Sequence, residues 1–253
     1  MSSTESIINR LKQWSSCDAS PPTIPEMRMW PALTDTDQIS DGLSKLGHAH
    51  GGFLEGINLY SPEYQMGDTK IVGPAFTVKF EPKSNTSAPK VKGNYIDQIP
   101  KDAVVFISQP APHINACYGG LMSLRAKHLG AAGVVIDGSV RDLQEHRDLN
   151  FPLFARTHGT TAGGAVCFPS QVNVTVQLQS SIQEATINPS DYIIADKDGV
   201  VVLPSDLAEK VLEIVPTVVS ADEKCAEAIR GGMSVEEAFG KFRGKKEVTK
   251  KDL

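Results

Sequence analysis

Two short stretches of this sequence carry residue types able to handle a small organic acid. Gly119-Gly120-Leu121-Met122 opens a helix-like segment, and Arg141-Asp142-Leu143-Gln144-Glu145 follows the apolar run Val134-Val135-Ile136 and its extension Asp137-Gly138. A helix N-terminus leaves about four amide N–H groups without intrahelical partners, and the helix dipole favours an anion there. Glycines at 119 and 120 let a ligand approach the backbone, so that Leu121 and Met122 would offer amide N–H groups to a carboxylate. The planar guanidinium of Arg141 suits a small organic anion. Asp142 beside it suits a hard divalent cation, and Glu145, three residues on, shares its helix face. Each piece alone has a plainer explanation: turn glycines, a solvated arginine, and an acidic residue at a helix start capped by Ser139.

Other chemistry-bearing residues are better explained by structure. His48 and His50 sit in a glycine-rich turn, and His113, His128, His146 and His158 have no metal-ligand spacing, so His146 is near the pair above only in sequence. Asp196-x-Asp198-Gly199 imitates the start of a calcium loop but lacks the closing glutamate, and a hairpin turn explains it better. His158-Gly159-Thr160-Thr161-Ala162-Gly163-Gly164 reads as a lid, an anion loop or a flexible connection. Cys17, Cys117, Cys167 and Cys225 are scattered, without zinc spacing, and read as reduced buried thiols.

The elements that must position these residues follow from periodicity. An N-terminal arm over residues 1–31 places Ile7, Ile8, Leu11 and Trp14 on one helical face before a Ser/Pro-rich connection. Residues 34–46 read as a helix capped by Thr34 or Thr36, and residues 71–80 as a strand followed by a polar loop to residue 92. Residues 103–107, 121–129 and 134–136 read as strand, helix and strand, a parallel pair with a crossover. Val172, Val174 and Val176 alternate as a half-exposed strand, and residues 192–195 and 200–203 flank Asp198-Gly199 as a hairpin. Ser205 is expected to cap a helix bearing Leu207, Val211 and Ile214, Ser234-Val235-Glu236-Glu237 opens a last one, and residues 245–253 form a charged tail.

The chain of 253 residues, 40% hydrophobic and 22% charged, is long enough for a sizeable core and is expected to form one domain over 1–253, with its core at 34–230. A net charge of -5 argues against nucleic acid as a partner. No apolar run approaches the roughly 18 residues of a membrane span, and the first residues lack a secretory pattern, so a cytoplasmic location is expected.

Joined at their spacing, the pieces resemble a known family. Gly120-x20-Arg141-Asp142-x2-Glu145 is similar to the signature of the RraA-like proteins, which include class II 4-hydroxy-4-methyl-2-oxoglutarate/4-carboxy-4-hydroxy-2-oxoadipate aldolases. The resemblance extends through residues 71–78, 133–138 and 151–156 to Asp196-Lys197-Asp198-Gly199 and residues 200–204. It implies an α/β layered sandwich with a swivelling β/β/α-type core, assembled as a homotrimer or homohexamer. It also implies a lyase that cleaves a short 2-keto acid through a pyruvate enolate, by retro-aldol cleavage or by oxaloacetate decarboxylation. By position, Gly119, Gly120, Leu121 and Met122 would hold the pyruvate carboxylate, Arg141 the keto-acid end, and Asp142 a divalent cation, Mg2+ or Mn2+, with Glu145 acting through a metal-bound water. Where many bacterial members carry an acidic residue this chain has Gly120, which moves weight toward decarboxylation. The family also implies two alternatives: a non-catalytic regulatory binding protein, and a specialised-pathway enzyme reusing the same enolate-stabilising site.

Overall fold

The computed structural model describes residues 35–244, so the expectations for the N-terminal arm, Thr34, Cys17 and the charged tail lie outside it. An eight-stranded sheet forms the frame. Its path is β1 (Asn58–Ser61), β5 (Leu153–His158), β4 (Gly133–Val140), β3 (Val104–Ser108), β2 (Ile71–Pro82), β9 (Tyr192–Asp196) and β10 (Gly199–Leu203), and β6 (Cys167–Val172) also pairs with β2. The four central strands β2, β3, β4 and β5 run parallel, and β1, β6, β9 and β10 are antiparallel to their neighbours. Strand β2 is long enough to pair with β9 through residues 71–74 and with β6 through residues 78–82.

The apolar runs are continuous because both faces of the sheet are covered. Val104, Phe106, Val135, Phe154, Ile193, Ala195, Val200 and Val202 point into one interior cluster shared by strands from β1 to β10. The alternate residues Val105, Ile107, Val134 and Ile136 pack outward under α2 (Gly120–Leu129) and α3 (Leu143–Asp148). Beneath β9 and β10, Ile194, Val201 and Leu203 meet α1 (Thr36–Lys45) and α4 (Ala208–Arg230). Each such Val, Ile or Phe, taken fully from water, contributes about 1.5–3 kcal/mol. The result is a mixed α/β fold in which the sheet curves far enough for Phe53 to bridge Val201. No helix of the described residues is long and apolar enough to cross a membrane.

Several boundaries differ from the sequence reading. Asp35, not a threonine, caps α1 by accepting from the Asp37 amide at 3.3 Å. Thr36 instead gives its amide and hydroxyl to the buried Asp196 carboxylate, at 3.1 and 2.8 Å. Ser205 caps nothing: its amide donates to Asp191 Oδ1, and α4 begins at Ala208. The valine alternation breaks at Asn173, whose φ of 52° ends β6, so Val176 belongs to a separate ribbon of β7 (Val176–Gln177) and β8 (Thr186–Ile187). The hairpin at Asp198-Gly199 forms as expected, and so does the capping box of Ser234 and Glu237, which opens α5 (Val235–Phe242).

The most consequential difference is in β4, which continues through Asp137, Gly138 and Ser139 to Val140. Asp137 is fully buried; its Oδ1 accepts from Arg156 Nε at 2.8 Å, and its other oxygen accepts from the Gln179 amide. Burial pushes its carboxyl up from the usual range, while the Gln179 amide and Arg156 pull it back. Arg156 also reaches Glu55 at 3.0 Å. Removing one partner of a buried ion pair leaves the other charge uncompensated. Arg156→Met is therefore expected to lower stability by about 3–5 kcal/mol in urea unfolding, and a loss under about 1 kcal/mol would contradict this role for the pair.

Candidate functional site

The parallel strands β2 to β5 share one carboxyl edge, where α/β sheets commonly place ligands. After β3 the chain returns along the end of β4. The Cys117 amide donates to Ser139 O at 2.9 Å and the Arg141 amide to Tyr118 O at 3.0 Å, pairing Tyr118 with Val140. This short pairing brings Gly119 and Gly120 against Arg141 and Asp142, residues about twenty positions apart in sequence.

The glycines are required by the acids beside them. Gly119 is extended, with φ -149°, so no turn demands it. A Cβ at 119 would stand 2.5 Å from Asp142 Oδ2, and one at 120 would stand 1.9 Å from Glu145 Oε2. Any side chain at 120 must therefore displace the Glu145 carboxylate. The Gly120 amide donates to Asp142 Oδ2 at 3.1 Å, and Arg141 Nε lies 3.4 Å from the same oxygen. Among the described residues Asp142 Oδ1 accepts no hydrogen bond.

Two of the amides expected to face a ligand are already taken. The Met122 N–H closes a turn onto Gly119 O at 3.0 Å, and the Gly120 N–H is taken by Asp142, so neither is free for a ligand. The amides of Gly119 and Leu121 have no protein partner among the described residues. Ser139 is not a cap; it is buried within β4. Asp142 itself stands at the N-cap of α3 in the left-handed region, φ 62° and ψ 42°, without a side-chain capping bond. A residue with a Cβ held there stores roughly 1–2 kcal/mol.

A buried hydrogen-bond chain holds this strained corner, and it runs through a histidine that spacing did not single out. His146 is fully buried, with Nε2 2.7 Å from Arg141 O and Nδ1 2.8 Å from Ser123 Oγ. A carbonyl only accepts, so Nε2 carries the proton. Burial lowers the His146 pKa, so the ring is neutral and Nδ1 accepts the Ser123 hydroxyl proton. The Ser123 oxygen, 3.3 Å from the Tyr118 hydroxyl, is then left to accept from Tyr118, whose ring stacks on the imidazole at 5.9 Å. Tyr118, Ser123 and His146 thus tie α2 and α3 to the carbonyl just before Asp142. The available sequence signal was His146 at three residues from Leu143, the inward face of α3.

Arg141, Asp142, Glu145 and Leu121 form one wall of a cleft of about 810 Å³, with Lys83 and Phe168 also lining it. Tyr95, Cys117 and Cys167 line it too. Burial pushes both thiols up, which keeps them protonated and poor nucleophiles at neutral pH. The loop after β5 contributes Ala162, Gly163 and Gly164. It is tied down by the Ala116 amide on Thr161 O at 2.8 Å and the Gly163 amide on Ala116 O at 2.7 Å. His48 and His50 do not line the cleft. No group of three or more His, Cys, Asp or Glu residues gathers among the described residues. The donors at hand are two carboxylates, Asp142 and Glu145, which suits a hard cation that keeps several of its waters rather than zinc.

The chain has recognisable relatives among known proteins. The family model described as RraA-like (Aldolase/RraA) matches residues 36–202. Protein DlpA of Legionella pneumophila is 30% identical over 217 residues, 85% of this chain, but the chain spans only 34% of that relative's length. A relative from Halalkalibacterium halodurans, named provisionally as a 4-hydroxy-4-methyl-2-oxoglutarate aldolase, is 33% identical over 171 residues, 67% of this chain and 77% of its own. Among solved structures, an uncharacterized protein from Pseudomonas syringae pv. tomato superposes with a TM-score of 0.72 at 30% identity, covering 87% of this chain and 99% of that one.

The buried imidazole gives this site a pH signature. Its folded pKa lies below the ordinary 6.5, so on acidification the unfolded chain takes up the proton first, and stability falls as pH drops from about 6.5 through the folded value. His146→Leu leaves Arg141 O and Ser123 without their partner and is expected to cost about 1–3 kcal/mol near pH 7.5. It should also flatten the decline in melting temperature toward pH 5; an unchanged acid slope would contradict the assignment.

Proposed function

The chain belongs to the RraA-like family, and from that premise we propose that it is a divalent-metal-dependent carbon–carbon lyase acting on a short 2-keto acid. The observation that carries this reading is the joining of Arg141, Asp142 and Glu145 at one cleft wall with the Leu121 amide, which has no partner among the described residues. A purely regulatory surface would need no such cluster of charge around a strained aspartate. The aldolase name of the relative from Halalkalibacterium halodurans supports the same class.

Asp142 fits Mg2+ or Mn2+: Oδ2 is fixed by the Gly120 amide while Oδ1 is left open, and Glu145 sits within the space above Gly120. When bound, the cation supplies Lewis acidity at the 2-keto oxygen. The chain's own groups do the rest. The Leu121 amide and the Arg141 guanidinium hold the carboxylate of the pyruvyl half, as donors fixed before the substrate arrives. Breaking the bond between C3 and C4 leaves its electron pair on the pyruvyl half as an enolate, and the positive charge of Arg141 stabilises it. In the retro-aldol direction Glu145 takes the proton of the 4-hydroxyl and returns it to C3, giving pyruvate and a second carbonyl compound. Decarboxylation of oxaloacetate would produce the same enolate, with carbon dioxide leaving instead.

Release of pyruvate from 4-hydroxy-4-methyl-2-oxoglutarate and from oxaloacetate, followed with Mg2+ or Mn2+ and then with chelator, tests this reading. Turnover of at least one substrate is expected to vanish with chelator and in Asp142→Ala. Arg141→Ala should fall by about 10²–10³-fold, as for other single charge-stabilising donors. Full activity in Asp142→Ala would contradict the metal site. A folded protein that turns over neither substrate would contradict the lyase.

A further inference from the structure

The last two helices leave an apolar face open. Cys225 Sγ of α4 lies 3.6 Å from Ala238 O of α5, and both residues are buried where the two helices meet. The chain reverses between them, so Ile229, about one turn beyond Cys225, stands opposite Val235, about one turn before Ala238. Val235, Phe239 and Ile229 are nonetheless 53%, 38% and 37% exposed. Arg243 lies over the Phe239 ring at 4.2 Å and is pinned by Asp222 at 2.6 Å, which steadies the ring without covering it. A helix as short as α5 is marginal in water by itself, and it meets the rest of the described fold chiefly through α4. Its apolar stripe calls for a second surface.

The sequence before α1 holds a matching stripe. Val235, Phe239 and Phe242 fall at i, i+4 and i+7, and Ile7, Leu11 and Trp14 fall at the same spacing. Each set spans about 10 Å along a helix, and apolar residues stepping by four and three make a seam on which two helices interlock. The connection permits the pairing. α1 starts at Thr36 and lies along α4, with Gly42 against Val211 and Val215. Arg243, just past the end of α5, is near enough to feel the charge of Asp41 on α1. Asp41 is only about 8 Å along the helix axis from the start of α1. Residues 15–34 can span up to about 65 Å, so the segment before them can turn back to the hairpin with chain to spare.

We propose that residues 5–14 of the same chain form a helix that lays Ile7, Leu11 and Trp14 on the stripe of Ile229, Val235, Phe239 and Phe242, closing the hairpin into a three-helix end of the fold. A second copy of the chain is the competing occupant. The stripe is small for it: four side chains bury far less than the roughly 800 Å² per partner of a stable interface between separate molecules. A tethered segment needs less area, because a short flexible connection holds it at an effective concentration on the order of millimolar. The docking does not depend on the chemistry at the cleft.

Both tryptophans of the chain, Trp14 and Trp30, precede α1, so tryptophan emission reports on this segment alone. In the full chain carrying Trp30→Phe, Trp14 is expected to emit at short wavelength and to resist quenching by acrylamide at every protein concentration. Adding Phe239→Glu should shift that emission to longer wavelength and open it to the quencher. A reciprocal variant covers the case in which Phe239→Glu fails to fold: Leu11→Glu should speed hydrogen exchange across α5 while β2 to β5 stay as protected as before. Trp14 quenched as readily as free tryptophan in the Trp30→Phe chain would overturn the proposal, as would α5 exchange that Leu11→Glu leaves unchanged. Phe239→Glu that lowers the molecular mass while Trp14 stays shielded would also overturn it, placing a second copy on the stripe.

Discussion

The hydrogen bond from the Gly120 amide to the Asp142 carboxylate is the contact on which the site's geometry depends. It spans two elements, the start of α2 and the start of α3, and it forms only because the segment before α2 is paired to the end of β4. It also sets what the flanking residues can be. A side chain at 119 would strike Asp142, and one at 120 would strike Glu145. Backbone closeness at this corner thus leaves room for the Asp142 and Glu145 carboxylates on one wall of the cleft.

Rigidity below the corner makes that exposed chemistry feasible. Arg141 and Asp142 are partly open to solvent, so their mutual ion pair contributes little to stability. What holds Asp142 in its left-handed conformation is buried: the Tyr118, Ser123 and His146 chain on one side of β4, and Asp137 with Arg156 on the other. Both networks attach to β4 or to the residue that follows it. A strand that carries polar residues at full burial is costly unless they find partners, and here the Asp137 carboxylate and the Ser139 amide find theirs in Arg156 and Gln109.

The frame was legible in sequence where periodicity is local. The apolar runs of β3 and β4, the helix between them and the hairpin at Asp198-Gly199 all appear as read. What was hidden depends on partners distant in the chain. Asp137 looked like the end of a strand and Ser139 like a helix cap because their partners, Arg156 and Gln109, lie on other strands or loops. His146 looked incidental because Ser123 comes from another helix. The site residues Arg141, Asp142, Glu145 and the two glycines do converge, but the reason for the glycines was visible only in three dimensions. Met122 shows the opposite error: a helix start was read as four open amides, and one of them closes its own turn. Family membership was legible because it rests on ordered motifs rather than on any one contact.

Direct binding of Mn2+, read from the loss of the free-ion paramagnetic resonance signal as protein is added, tests the central claim without requiring any substrate. The account predicts one ion per chain, displaced by Mg2+ and lost in Asp142→Ala while the folded state persists. Binding of Mn2+ with undiminished affinity in Asp142→Ala would contradict it.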